Sequence, residues 1–99
     1  MIKTIEININ NGIMTEINAL VVVEKNICYL NNKKYSVTND FIERLKNIIL
    51  LWENEYGNNR KIEEEFRIII TTNKKIETYH GKGIFPNNYQ SLKELLGEL

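Results

Sequence analysis

Ile5-Glu6-Ile7-Asn8-Ile9-Asn10-Asn11-Gly12-Ile13-Met14-Thr15-Glu16-Ile17-Asn18-Ala19-Leu20-Val21-Val22-Val23 is the stretch that decides the fold class of this chain. Isoleucine at every second position, with polar residues between, is the period of a strand with one buried face. Asn10-Asn11-Gly12 follows as a hairpin turn signal, with Gly12 suited to a positive φ. A three-residue loop there pairs Ile9 with Ile13, Ile7 with Thr15 and Ile5 with Ile17, all on one face. A two-residue loop would set Ile7 against Glu16 and split the apolar set, so the longer loop is expected. Ala19 to Val23 is apolar on both faces, the pattern of a central strand or of one covered on both sides, by helices or by a second copy of the chain.

Working outward, Glu24-Lys25-Asn26 turns the chain into a second hairpin, Ile27 to Leu30 and Lys34 to Val37, around Asn31-Asn32. Thr38-Asn39-Asp40 then offers three helix N-caps, with Asp40 and Glu43 at capping-box spacing. Phe41, Leu45, Ile48, Ile49, Trp52 and Tyr56 follow the helical period and predict one apolar stripe, ending where Gly57 suits a left-handed cap. Asn58 to Glu65 reads as a solvated connection around Ile62. Phe66, Ile68 and Ile70 alternate in a fifth strand, and Asn73-Lys74-Lys75 turns it into a sixth, Ile76 to His80. A three-residue loop places Ile76, Thr78 and His80 on the Phe66–Ile68–Ile70 face and Tyr79 opposite Ile69. A last helix is expected after Pro86, with Tyr89, Leu92, Leu95, Leu96 and Leu99 on one side. The expected fold is α+β, in the order β-β-β-β-α-β-β-α, with antiparallel sheet and both helices on an apolar face. Residues 1–99 form a single domain, since no Pro-, Gly- or Ser-rich linker divides them.

Thirteen basic and thirteen acidic residues cancel, so no overall field recruits nucleic acid or an anionic membrane. The local candidates are Lys33-Lys34 and Lys74-Lys75, both at turns, where lysine also serves solubility. One cysteine, Cys28, excludes an internal disulfide, and one histidine with it argues against structural zinc. The first residues lack the apolar block of a signal peptide and no long apolar run spans a membrane, so the expected setting is cytoplasmic. Abundant Ile, Asn and Lys share A/T-rich codons, which points to a low-GC bacterium or its phage.

His80 is the only side chain that titrates near neutrality in its unperturbed state. A catalytic role would pair it with Tyr79 or Glu77, but the sequence names no convergent base or nucleophile, so no catalytic residue is assigned and no enzyme is expected. Cys28 lies in an apolar strand and reads as a small buried hydrophobe. Gly81-Lys82-Gly83 satisfies neither phosphate-loop fingerprint, and Pro86 removes a backbone donor near the helix start. Glu63-Glu64-Glu65 reads as a solvated acidic edge, because consecutive carboxylates diverge. No cofactor or metal is therefore expected.

The segment from Tyr79 to Tyr89 packs two glycines, a proline and three aromatics into a shaped turn. Tyr79-x-Gly81-x-x-x-x-Pro86-x-Asn88-Tyr89-x-x-Leu92 resembles the C-terminal end of a group of uncharacterised small proteins from low-GC bacteria and phages, with the pattern Y-x-G-x-N-x-x-P-x-N-F-x-x-L. Lys34-Tyr35-Ser36-Val37 is similar to the middle of those proteins. The chain departs from the pattern at Gly83, where the group has Asn. The resemblance implies the same element order and a bacterial or phage setting, and the group carries no established activity.

Three functions follow as expectations. The first is a non-enzymatic protein-binding module, an inhibitor or immunity-type factor of a phage or mobile element, with Tyr79, His80, Lys82, Phe85 and Tyr89 as partner contacts. A homodimer is compatible with it. The second is nucleic-acid binding through the lysine turns and the strand tyrosines Tyr29, Tyr35 and Tyr79, which the neutral charge balance disfavours. The third is a small-ligand binder or minimal enzyme around Tyr79 and His80.

Overall fold

The computed structural model describes residues 1–99. Its strands are β1 (Ile2–Asn11), β2 (Met14–Val22), β3 (Ile27–Leu30), β4 (Lys33–Ser36), β5 (Glu55–Asn58), β6 (Glu64–Thr72) and β7 (Ile76–Lys82). Helix α1 (Asn39–Ile49) lies between β4 and β5, and α2 (Tyr89–Leu96) closes the chain. The seven strands form one sheet in the order β4-β3-β2-β1-β6-β7-β5. Neighbours are antiparallel except β5, which runs parallel to β7. The fold is thus α+β with both helices on one apolar face, as expected, but the sheet is mixed and holds a strand that the sequence reading treated as helix end and connection.

The core is the helix-covered face. Ile5, Ile7 and Ile9 of β1, Ala19 and Val21 of β2, Cys28 of β3, Phe66, Ile68 and Ile70 of β6 and Tyr79 of β7 meet Phe41, Ile42, Leu45 and Ile49 of α1 and Leu92, Leu95 and Leu96 of α2. No charged or polar side chain is buried among them. Gly81 completes this face opposite Phe66. A Cβ there would meet the Ile84 carbonyl at 2.7 Å and the Phe66 ring at 2.9 Å, so only glycine fits.

Three expectations are corrected by the registers and ends. The first turn is Gly12-Ile13 between Asn11 and Met14, with Gly12 at φ 67°. A bulge follows, so Ile9, Ile7 and Ile5 oppose Ile17, Ala19 and Val21, and Ile13 is left wholly exposed. The bulge absorbs one residue and returns the apolar set to the core face, which the two-residue turn alone would have split. The β6–β7 register is displaced by one residue: Ile68 opposes Tyr79 and Ile70 opposes Glu77. Because side chains alternate, that slip puts Tyr79 in the core and Ile76, Thr78 and His80 on the other face. The Thr72 hydroxyl accepts from the Lys74 and Lys75 amides and holds this longer turn. Helix α1 is capped by Thr38, the first of the three expected caps, whose Oγ1 accepts from the Phe41 amide at 3.0 Å, and Asp40 lies inside the helix. It ends at Ile49, so Trp52 and Tyr56 are not on it. Strand β2 is central in the sheet, the first of the two expected settings, and is covered on one side: Ala19 and Val21 are buried while Leu20 is exposed. The β3–β4 turn is as expected, with Asn31 at φ 47° and Asn32 at φ 71°, the double positive φ of a tight hairpin.

Candidate protein-contact surface

Past the end of α1 the chain turns sharply: the Leu50 amide donates to Lys46 O and the Trp52 amide to Ile49 O. Three consecutive apolar residues, Leu50, Leu51 and Trp52, cannot share a helix face, and the turn sorts them. Trp52 swings inward and is buried, while Leu50 and Leu51 stay exposed, Leu51 at 85%. The chain then returns as β5 along β7, joined by His80 N–H to Asn54 O at 2.9 Å and Asn59 N–H to Lys82 O at 2.8 Å.

Trp52 enters an aromatic cluster centred on Phe66. Its ring stands edge-on to Phe66 at 5.5 Å, and Tyr56, Phe85 and Tyr89 surround the same residue at 6.0, 6.1 and 5.4 Å. Phe85 stacks on Tyr89 at 4.4 Å. Edge-to-face and offset contacts of this kind follow from the quadrupole of the rings. Asn88 locks the arrangement: its carbonyl accepts from the Trp52 indole N–H, and its amide donates to Ile48 O at 3.0 Å. The side chain at the start of α2 is therefore spent on holding the end of α1, and makes no cap bond to its own helix.

A second polar knot fixes α2 from below. Tyr89 Oη donates to Glu64 at 2.7 Å, and Lys93 reaches both Glu64 and Glu16 at 2.9 and 3.1 Å. Burial pushes the Glu64 carboxyl up, but the bonds from Tyr89 and Lys93 and the lysine charge outweigh it and hold the group below its usual range. The same burial, with the Glu64 charge beside it, raises the Tyr89 phenol well above its ordinary value.

Above this rigid floor lies an open cleft of about 520 Å³, lined by Leu51, Trp52, Glu53, Tyr56 and the Phe85 to Asn88 segment. Ile84, 43% exposed, lies just before Phe85 in the chain. Tyr56 Oη accepts from the Glu53 amide at 2.8 Å, which leaves its own proton free to donate outward. Glu53 is the only charged residue of the lining.

The five expected contact residues do not share a surface. Tyr79 is buried against the helices, its hydroxyl donating to Glu77 at 2.8 Å, and burial followed by that carboxylate pushes its phenol to about 12. Tyr89 is buried beneath Phe85. His80 and Lys82 lie on the uncovered sheet face, with Glu55 and Arg67 beside His80 and Glu65 and Asn58 beside Lys82. They line an open depression with Gly57 and Gly81, and the His80 ring makes no hydrogen bond there. Of the five, Phe85 alone lines the cleft. Tyr79 and Glu77, the suggested partners of His80, bond each other on the opposite face. Leu51, Trp52, Glu53 and Tyr56 are the cleft residues that the sequence analysis missed, and the run Ile48-Ile49-Leu50-Leu51-Trp52 is the signal: five apolar residues in a row cannot continue a one-sided helix.

Cys28 is buried opposite Val21 and Tyr35, and burial pushes its thiol to about 11. No group of three or more His, Cys, Asp or Glu side chains is arranged to hold a metal ion. The lysine pairs are apart, one on edge strand β4 and one on the β6–β7 turn, with β3, β2 and β1 between. Tyr29 faces the uncovered side, whereas Tyr35 and Tyr79 face the covered one. No helix is long and apolar enough to cross a membrane. Comparison with protein-family models, with curated proteins and with solved structures finds no match to this chain.

Proposed function

We propose that the protein is a non-enzymatic protein-binding module of the inhibitor or immunity type, and that it grips its partner through the aromatic cleft and the Leu50–Leu51 shoulder beside it. The observation that carries this is the pairing of exposed leucines with a pre-set aromatic floor. An isolated exposed apolar residue such as Ile13 needs no explanation, but a contiguous set around a rigid cleft does. Burying one such leucine is worth about 1.5–3 kcal/mol, and rings held in place by the Asn88 bridge add contact without ordering cost. The matching partner presents an apolar anchor for the cleft and a basic group for Glu53. A bacterial or phage setting agrees with the A/T-biased composition.

Capture from a lysate of the source cells tests this with three baits. Proteins held by wild type and by Ile13→Asp, but lost with Leu51→Asp, are the expected result. Ile13 and Leu51 are both solvent-facing, so neither change should shift the melting temperature measurably. A capture profile unchanged by Leu51→Asp would defeat the assignment of the cleft.

A further inference from the structure

The groups that line the cleft at the end of α1 narrow what it can hold. Tyr56 and Phe85 lie 6.0 and 6.1 Å from the buried Phe66 ring, so their centroids are separated by no more than the sum of those distances. Both rings are half-buried and keep part of their surface in solvent, beside the largely exposed Leu51. Hydrogen-bonding groups are few. The Trp52 indole N–H is already taken by Asn88, whereas the Tyr56 hydroxyl, having accepted from the Glu53 amide, still has a proton to give outward. Glu53 is exposed and joins none of the chain's ion pairs.

A peptide docks on a folded domain as an added strand, as a helix or as an extended polyproline helix. An added strand needs a regular open edge. Strand β5, the sheet edge that carries Tyr56, has four residues, an interrupted register and Gly57 at φ 88°. A helix bonds its carbonyls within itself and gives the Tyr56 hydroxyl no backbone acceptor. Polyproline II leaves every carbonyl open, and a run of prolines has acceptors but no backbone donors. One of its turns advances about 9 Å over three residues, which lies within the limit set by the two rings.

We infer that the occupant of the cleft is a proline-rich segment of the partner in the polyproline II conformation. Two prolines three residues apart sit on Tyr56 and Phe85, a backbone carbonyl accepts from Tyr56 Oη, and a basic residue flanking the prolines meets Glu53. This rests on the cleft being the partner site and adds the chemistry of what fills it. Phe66 and the Asn88 bridge hold the rings in place, and a proline helix is stiff before it binds, so neither side has much to order.

Trp52 is the only tryptophan of the chain and lies in the lining, so its fluorescence reports occupancy. The probes are acetylated, amidated nonaproline with an arginine at each end, the same peptide with glutamine for arginine, and a Gly-Ser peptide of equal length with the arginines. The arginine–proline peptide should change the emission saturably, and the Gly-Ser peptide should not. Glu53→Gln should weaken the arginine–proline peptide about two- to fivefold, to the level of the glutamine one, and leave the latter unchanged. Tyr56→Phe, with its fold checked by melting, should weaken both proline peptides about two- to tenfold. No saturable change in wild type, equal binding of the Gly-Ser peptide, or a Glu53→Gln variant that still favours arginine would each overturn the inference. Lysate capture separates the occupant from the site. A partner lost with Leu51→Asp, while proline peptides leave Trp52 unmoved, keeps the site and overturns the proline-rich occupant; loss of both results removes both.

Discussion

The two faces of this sheet are built on the same backbone by alternate residues of the same strands, yet they meet different surroundings. Ile68 is fully buried under the helices, while its neighbour Ile69 is half-buried on the uncovered side. Ala19 and Leu20 repeat the contrast on β2, and Tyr79 and His80 repeat it on β7. Strand formation is therefore common to both sets and does not explain the difference. Stability comes from what the helices cover, and the uncovered residues add little to it. A mutation's cost should follow its face and not its position along the strand.

The largest effect should come from the covered set. Ile68→Ala removes three carbons from a site with no solvent access, and a cost of about 2–5 kcal/mol is expected from lost burial and the cavity left behind. For a domain of this size that is a fall in Tm of roughly 10 °C or more. Denaturant melts at fixed pH measure it. A loss under about 1 kcal/mol would mean that the helices do not hold this face closed.

The rim between the two environments carries a pH signature. The folded-state pKa of Glu64 is depressed, so its contribution is present above the unfolded carboxylate value and is lost as pH falls through the folded one. Lys93 is shifted upward by the same pair, so its share is intact at neutral and acid pH and is lost only as pH rises through its folded value, above the ordinary lysine range. Glu64→Gln should lower stability at neutral pH by about 1–2 kcal/mol. It should also flatten the fall in Tm between about pH 5 and pH 3. Glu77 and Glu98 are depressed too, by exposed partners Lys75 and Arg44, so some acid sensitivity should remain in the variant. Scanning calorimetry across that range decides it: an acid limb as steep in Glu64→Gln as in wild type would place the sensitive carboxylates elsewhere.

Much of this contrast was legible before any coordinates. The alternation of Ile5, Ile7 and Ile9 and of Phe66, Ile68 and Ile70 named the covered face, and the spacing of Leu92, Leu95 and Leu96 named the helix lying on it. Registers were harder to read, because a hairpin's pairing depends on one residue more or less in a turn or bulge. The bulge beside Ile9 and the hydroxyl-braced turn at Thr72 each changed the count, and the second reversed the faces of Tyr79 and His80. Strand β5 was invisible because Glu55-Tyr56-Gly57-Asn58 has neither alternation nor β-branched residues. It is joined to β7 by backbone bonds from His80 N–H to Asn54 O and from Asn59 N–H to Lys82 O, after Trp52 has packed on Phe66 of β6. The cleft was half legible: Phe85 and Pro86 stood out, but its other wall required knowing that α1 stops at Ile49.

The smallest expected effect is the sharpest check on the two faces. Ile69→Thr exchanges an ethyl group for a hydroxyl one residue from Ile68, on the uncovered side of the same strand. Threonine keeps the branched Cβ that suits a strand, and its hydroxyl has water within reach, so local structure is undisturbed. Measured by denaturant melts, the change should cost no more than about 0.5 kcal/mol. A loss comparable to that of Ile68→Ala would mean that something within the chain covers this face as well, and the division between a covered and an open face would no longer hold.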